Sequence, residues 1–184
     1  MTYKEAIKQR CDELSKDKMS RFIGYNTSHG SRMYGTLNDI PIEQCIETPV
    51  AENLMMGLAM GMSLEGFKPV VCFERHDFML LALDAIVNHL DKLPWMSGDR
   101  FKFPVLIRAI VGSKKPIHAG PQHTQEYSAV LQEMLEHTPV LMPTTQEELH
   151  HAWEQVGKTN SGAVVVIEKR AWYEDQMPLV KEDT

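Results

Sequence analysis

A three-layer α/β/α fold with a mainly parallel sheet is the class this sequence predicts, on three observations. The candidate strands are continuous apolar, β-branched runs such as Val-Val-Cys-Phe at 70–73 and Val-Val-Val-Ile at 164–167, the pattern of strands buried on both faces. Helical segments separate them, as parallel crossovers require. The chain has 184 residues, 43% of them hydrophobic, enough for one domain with a sizeable core and short for two. A single domain over residues 1–172 is therefore expected, followed by a loose tail at 173–184.

Taken in order, residues 3–16 place Ala6, Ile7, Cys11 and Leu14 at helical spacing between charged positions, an amphipathic first helix. Residues 21–25 are a short apolar run leading into a polar, Gly-containing loop at 26–35, and 45–49 make a second short strand that Pro49 ends. A helix over 51–64 is closed by Gly66, and 68–73 form a strand. A further helix is expected from Asp77, which is placed to cap it, to Leu93, where Pro94 stops it. Residues 103–112 read as a buried strand and 113–122 as a Lys-, Pro- and Gly-containing loop. The remainder reads as a helix at 126–137, a strand at 139–142, a helix opening at 143–148 with acidic first-turn residues, and a last strand at 163–168.

Composition narrows the function classes. Nineteen basic against 25 acidic residues leave a net charge of −6, and no basic stripe interleaved with aromatics occurs, so nucleic acid is not an expected partner. No apolar run approaches the roughly 20 residues of a membrane span, nor does the N-terminus resemble a signal peptide; a soluble cytoplasmic protein is expected. Cys11, Cys45 and Cys72 are odd in number and far apart, which suggests buried thiols rather than a disulfide framework or a metal site. His118 and His123 have no third ligand nearby, so no metal is assigned.

Two segments suggest a subunit contact. The 77–93 segment is apolar nearly all round, whereas a surface helix needs a polar face. The preceding helix carries Gly57 and Gly61 on one side, among Met55, Met56, Met60 and Met62, a spacing that permits close backbone approach.

The run Glu47-Thr-Pro-Val-Ala-Glu-Asn-Leu-Met-Met-Gly-Leu-Ala-Met-Gly61, followed by Gly66-Phe-Lys-Pro-Val-Val-Cys-Phe73, resembles the beta subunit of 2-oxo acid dehydrogenases, among the transketolase-like thiamine enzymes. The resemblance continues in order through Asp77-Phe78, Ala82-Leu-Asp84, Asn88, Trp95-Met-Ser-Gly98, Pro104-Val-Leu-Ile-Arg108, Gly120-Pro-Gln-His-Thr-Gln125 and Val164 to Glu168, covering most of residues 3–172. It implies the pyrimidine-binding half of a thiamine diphosphate enzyme. The diphosphate half carries Gly-Asp-Gly with a downstream Asn, and Gly-Asp-Gly is absent here. The resemblance therefore implies a separate diphosphate-binding, alpha-type subunit that holds the Mg2+, in a dimer or heterotetramer, with this chain inactive alone.

The same resemblance assigns roles. Glu52 in Thr48-Pro-Val-Ala-Glu52 stands for the carboxylate that hydrogen-bonds the aminopyrimidine, a proton-transfer role. By residue chemistry alone, Glu52 is equally an acid favouring a helix N-terminus, and burial against Leu54 and Met55 is expected to favour its protonated form. Phe78 matches an aromatic close to the aminopyrimidine and also reads as a core residue; His76, where the family has an aromatic, is a second candidate cofactor contact. His123 matches a histidine facing the substrate side. Residues 113–118 depart from the family's small, Gly-rich run, and Lys114 and Lys115 there could attract an anion or simply be solvated. The function implied is decarboxylation and acyl transfer from a 2-oxo acid. Two alternatives stay open: half of a split transketolase acting on sugar phosphates, for which Arg75 and His76 are the adjacent candidates, and a non-catalytic paralogue serving as scaffold or regulator.

Overall fold

The computed structural model describes residues 1–115 and 118–181. Residues 116–117 of the expected 113–122 loop and the last three residues of the expected tail lie outside that range. Six strands form one sheet in the order β2-β1-β3-β4-β6-β5, with every neighbouring pair parallel. They are β1 (Ser20–Gly24), β2 (Cys45–Glu47), β3 (Lys68–Phe73), β4 (Leu106–Val111), β5 (Val140–Leu141) and β6 (Val164–Lys169).

Side-chain alternation explains why the strand sequences are continuously apolar. Val71 and Phe73, Ile107 and Ala109, and Val165 and Ile167 bury one face; Val70 and Cys72, Leu106 and Ile110, and Val164 and Val166 bury the other. The first face is covered by α2 (Glu52–Leu64), by the segment 76–90 and by α4 (Ser128–Met134); the second by α1 (Tyr3–Ser15) and α5 (Gln146–Glu154). Thr2 starts α1 with a reciprocal capping box with Glu5. Gly66 ends α2 at φ +85°, where its amide donates to Ser63 and that of Phe67 to Met62. Among the described residues, no helix is long and apolar enough to cross a membrane.

One expected helix is different. Residues 77–93 do not form a continuous α-helix capped by Asp77. A 3-10 helix spans His76–Ala82, a π-helix spans Asp84–Leu90, and α3 (Leu93–Met96) follows with Pro94 in its first turn. The buried positions give the reason: Met79 and Ala82 are three apart, then Ile86 and Leu90 follow at steps of four. Tightening and then widening the coil keeps all four on the sheet. Pro94 opens a turn, where its missing N–H costs nothing.

The stretch after Trp172 also departs from a loose tail over its first half. Tyr173 and Met177 are buried, the amides of Tyr3 and Lys4 donate to the carbonyls of Asp175 and Tyr173, and those of Gln146 and Glu147 donate to Pro178 and Leu179. What holds it is a buried ion pair on the second face. Arg108 on β4 donates through Nε to Glu168 on β6 at 2.6 Å and through Nη2 at 3.0 Å, and the Tyr173 hydroxyl donates to the same carboxylate at 2.8 Å. Thr36 Oγ1 accepts from Nη2 and Cys11 Sγ from Nη1. Burial pushes the Cys11 thiol up to about 12, so it stays protonated.

Candidate functional site

Parallel strands put their carboxyl ends at one edge of the sheet, and a ligand crevice opens there where successive connections leave in opposite directions. In this sheet that place lies between β1 and β3, because the chain leaves β1 toward β2 on one side and continues from β3 to β4 on the other. Tyr25 follows β1, residues 48–52 follow β2, residues 74–78 follow β3, and Gly112 follows β4, all at this edge.

Glu52 is the first residue of α2 and only 2% exposed, and its Oε1 has no hydrogen-bond partner among the described residues. Met55 is buried as expected, but Leu54 is 52% exposed; consecutive helical residues lie about 100° apart, so the two occupy different faces. The polar neighbour is instead Tyr25. Burial, with the charge and contact of Glu52 after it, pushes the Tyr25 phenol well above its usual range, and among the described residues its buried hydroxyl has no well-aligned hydrogen-bond partner. A carboxylate and a phenol, each with a polar atom lacking a well-aligned partner, therefore share the crevice. Buried polar atoms without partners are uncommon, because each forfeits the hydrogen bonds it had with water.

Glu47, which sequence reasoning gave no role, shapes the crevice wall. Its carboxylate accepts from the amides of Asn26, Thr27 and Ser28 at 2.5, 3.0 and 2.8 Å and from the hydroxyls of Thr27 and Ser28 at 3.1 and 2.9 Å. Burial opposes its ionisation, yet the hydrogen bonds from Ser28 and its neighbours outweigh that and hold it below the usual carboxylate range. The available signal is a strand-end acid beside a run of small polar residues, Asn26-Thr-Ser, that can only be paired once the register of β1 and β2 is known.

The segment after β3 brings together residues distant in sequence. His76 is buried, its Nε2 accepts from the Tyr127 amide at 2.9 Å, and its ring stacks on Tyr127 at 5.8 Å. Burial lowers its pKa; in the neutral ring the proton then sits on Nδ1, which has no partner. His76 is thus held by its own chain. Asp77 Oδ1 accepts from Gln125 N and Nε2 at 3.0 and 3.1 Å, so the acid expected to cap a helix instead anchors the 123–127 loop. Phe78 and His123 meet edge to face, 5.3 Å between centroids, and His123 Nδ1 is buried without a partner. Gly112 makes this possible: a Cβ there would lie 1.8 Å from the His123 carbonyl. Lys114, Lys115 and His118 are exposed, and among the described residues no group of three His, Cys, Asp or Glu is placed to hold a metal.

Comparison with known proteins gives this edge a context. The model of the transketolase pyrimidine-binding domain family matches residues 1–176. The chain belongs to that family. As a transketolase pyrimidine-binding domain it is 32% identical, over 133 residues and 70% of its length, to the pyruvate dehydrogenase E1 component subunit beta of Cyanidium caldarium, covering 40% of that protein. It is 28% identical over 190 aligned positions, 99% of its length, to the mitochondrial E1 subunit beta-2 of Oryza sativa subsp. japonica, covering 49%. The domain thus spans half or less of these curated relatives. A solved structure described as a split gene transketolase, inactive beta4 tetramer, superposes with a TM-score of 0.68 at 18% identity, covering 99% of this chain and 53% of the other, which shows the shared fold.

Proposed function

We propose that this chain is the pyrimidine-binding subunit of a heteromeric thiamine diphosphate enzyme that decarboxylates a 2-oxo acid and transfers the acyl group. The observation that carries the reading is Glu52: a carboxylate 2% exposed, at the carboxyl edge of a parallel sheet, whose Oε1 has no well-aligned hydrogen-bond partner among the described residues and whose neighbour is the buried Tyr25 phenol. An acid serving only a helix dipole has no reason to be desolvated and left short of a partner, since such acids work from exposed first turns. An aminopyrimidine ring nitrogen fits that vacancy as a hydrogen-bond partner. Bound thiamine diphosphate supplies an electron sink for cleavage next to a 2-oxo group.

On this reading each residue of the chain has a limited task. Glu52 holds or yields a proton at Oε1 toward the pyrimidine ring. Phe78, fixed against His123, packs on the ring, and His76 orders the 125–127 loop through Tyr127. His123 Nδ1 offers a proton or hydrogen bond on the substrate side. The diphosphate and its Mg2+ belong to an alpha-type partner carrying Gly-Asp-Gly. The subunit contact runs over exposed Val50 just before α2, over α2, where Leu54 is exposed and no described atom lies within 4 Å of where a Cβ would stand at Gly57 or Gly61, and over Leu80 and Leu81.

Glu52→Gln tests the reading. Assayed with the partner subunit, this variant keeps the shape of the side chain and loses the proton exchange, so turnover of a 2-oxo acid is expected to fall about 100-fold or more. Turnover within a few-fold of wild type would refute the assignment.

A further inference from the structure

Two arginines at the same edge are poised differently from the others near them. Arg32 spends its donors on the carbonyls of Thr27, Asn38 and Ile40, and Arg108 spends its own on Glu168, Thr36 and Cys11. Arg75 makes one side-chain hydrogen bond, from Nη1 to the Glu74 carbonyl at 3.2 Å. Among the described residues, neither Arg75 nor Arg170 has a carboxylate within 4.0 Å, whereas Lys169 beside Arg170 pairs with Glu126. Both guanidinium groups sit 5.1 Å from the centroid of the Tyr34 ring, and that of Arg170 also lies 4.8 Å from the ring of Tyr173. Stacking on aromatic faces holds a guanidinium while leaving its in-plane N–H donors available. A guanidinium has five such donors.

Their placement is as informative as their lack of counter-ions. Arg75 follows β3 and Arg170 follows β6, the two strands that flank β4. The end of β4 leads to Gly112, which lies against the His123 carbonyl, and Arg75 Cδ is 3.8 Å from where a Gly112 Cβ would stand. The pair therefore brackets the strand end beneath His123. Both side chains are half-buried, and burial lowers the Arg75 pKa against the opposing pull of Tyr25 and Asp77, with Arg170 adding a smaller push in the same direction as burial. The neighbouring acid, Asp77, is turned toward Gln125. With both guanidinium groups over the one ring and neither in a salt bridge among the described residues, their free N–H donors are available for charge-assisted hydrogen bonds to an oxyanion.

We propose that Arg75 and Arg170, stacked on Tyr34, form an oxyanion subsite that selects substrates with a second anionic group beyond the reacting carbonyl held at His123. The inference rests on the reading of the site given above and narrows it to doubly anionic substrates: a 2-oxo acid with a terminal carboxylate, or a phosphorylated keto compound.

The test has two arms. Inorganic phosphate titrated into the full chain alone is expected to shift the guanidinium NMR signals of Arg75 and Arg170, saturating in the millimolar range; no shift at about 50 mM overturns the subsite whatever the enzyme does. In the assembled pair, the ratio of kcat/KM for 2-oxoglutarate to that for 2-oxobutyrate is measured for wild type, Arg75→Gln/Arg170→Gln and Lys114→Gln/Lys115→Gln. The arginine variant is expected to lower the ratio by about 10- to 100-fold, and the lysine variant to change it by less than about threefold, as exposed charges do. An unchanged ratio in the arginine variant overturns the proposal and leaves the decarboxylase reading standing. Turnover of fructose 6-phosphate in place of any 2-oxo acid, with a KM raised by the arginine variant, keeps the subsite and refutes the 2-oxo acid reading. Loss of co-purification with the partner in the arginine variant would mean that a carboxylate of the partner fills the pair, and overturns it.

Discussion

At the scale of single residues, the site is built from groups that folding has desolvated without matching. Glu52, Tyr25, His76 and His123 each keep a buried polar atom without a well-aligned partner among the described residues, at a cost of about 1–3 kcal/mol for each neutral group. His76 makes that cost visible in solution. Its folded-state pKa is lowered by burial, below the roughly 6.5 of an unfolded chain. Above that value both states are neutral and its contribution to stability is complete. As pH falls through it, the unfolded chain takes up a proton that the folded one refuses, and stability is lost. Denaturant unfolding of wild type between pH 7 and 5 is expected to show a steeper loss than His76→Gln, by up to about 1.4 kcal/mol per pH unit. Identical slopes would show that His76 is not the neutral acceptor of the Tyr127 amide.

Much of this was out of reach of the sequence. Glu52, Phe78 and His123 were legible only by their places in the family motif, since by residue chemistry alone Glu52 is an ordinary helix-start acid and Phe78 a core residue. Their adjacency was not, because it depends on Gly112 admitting the His123 carbonyl and on Asp77 capturing Gln125 across 48 positions. Tyr25 carried no sequence signal at all: its relation to Glu52 exists only because β1 and β2 are neighbours.

At the scale of elements, the central strands β3, β4 and β6 were readable because burial on both faces demands a long apolar run, whereas β2 and β5, three and two residues long and only partly buried, show only as short apolar segments beside prolines. The segment 76–96 was not readable, because 3-10, α and π coils share nearly the same apolar spacing and only the sheet beneath decides between them. Helix α2 states its business more openly. Glycine inside a helix costs roughly 0.5–1 kcal/mol against alanine, and among the described residues no atom lies within 4 Å of where a Cβ would stand at Gly57 or Gly61. Gly57→Ala and Gly61→Ala are therefore expected to raise the melting temperature of the isolated chain while weakening its association with itself or its partner, read by sedimentation velocity. If association is untouched, the bare face is not the subunit contact.

For the whole molecule, the Arg108–Glu168 pair ties the central strands to α1, to residue 36 and to the segment beginning at Tyr173. A buried pair is not strongly stabilising as a pair, but removing one member strands the other. Arg108→Met is expected to cost about 3–5 kcal/mol in urea unfolding, and Arg108→Met/Glu168→Leu markedly less; equal losses would contradict the account. This linkage also explains why the stretch after Trp172 was misread: its polar composition suggests a tail, and the buried carboxylate that fixes it lies on a strand whose sequence otherwise reads as pure core.

The central claim is that this chain holds half of a cofactor site. Calorimetric titration of thiamine diphosphate with Mg2+ into the chain alone, into the proposed Gly-Asp-Gly partner alone and into the assembled pair tests it directly. Saturable binding by the pair at one cofactor per pair of chains, at least about tenfold tighter than by either chain alone, is the predicted result. A pair that binds no cofactor, or a partner that binds it equally well by itself, would contradict it.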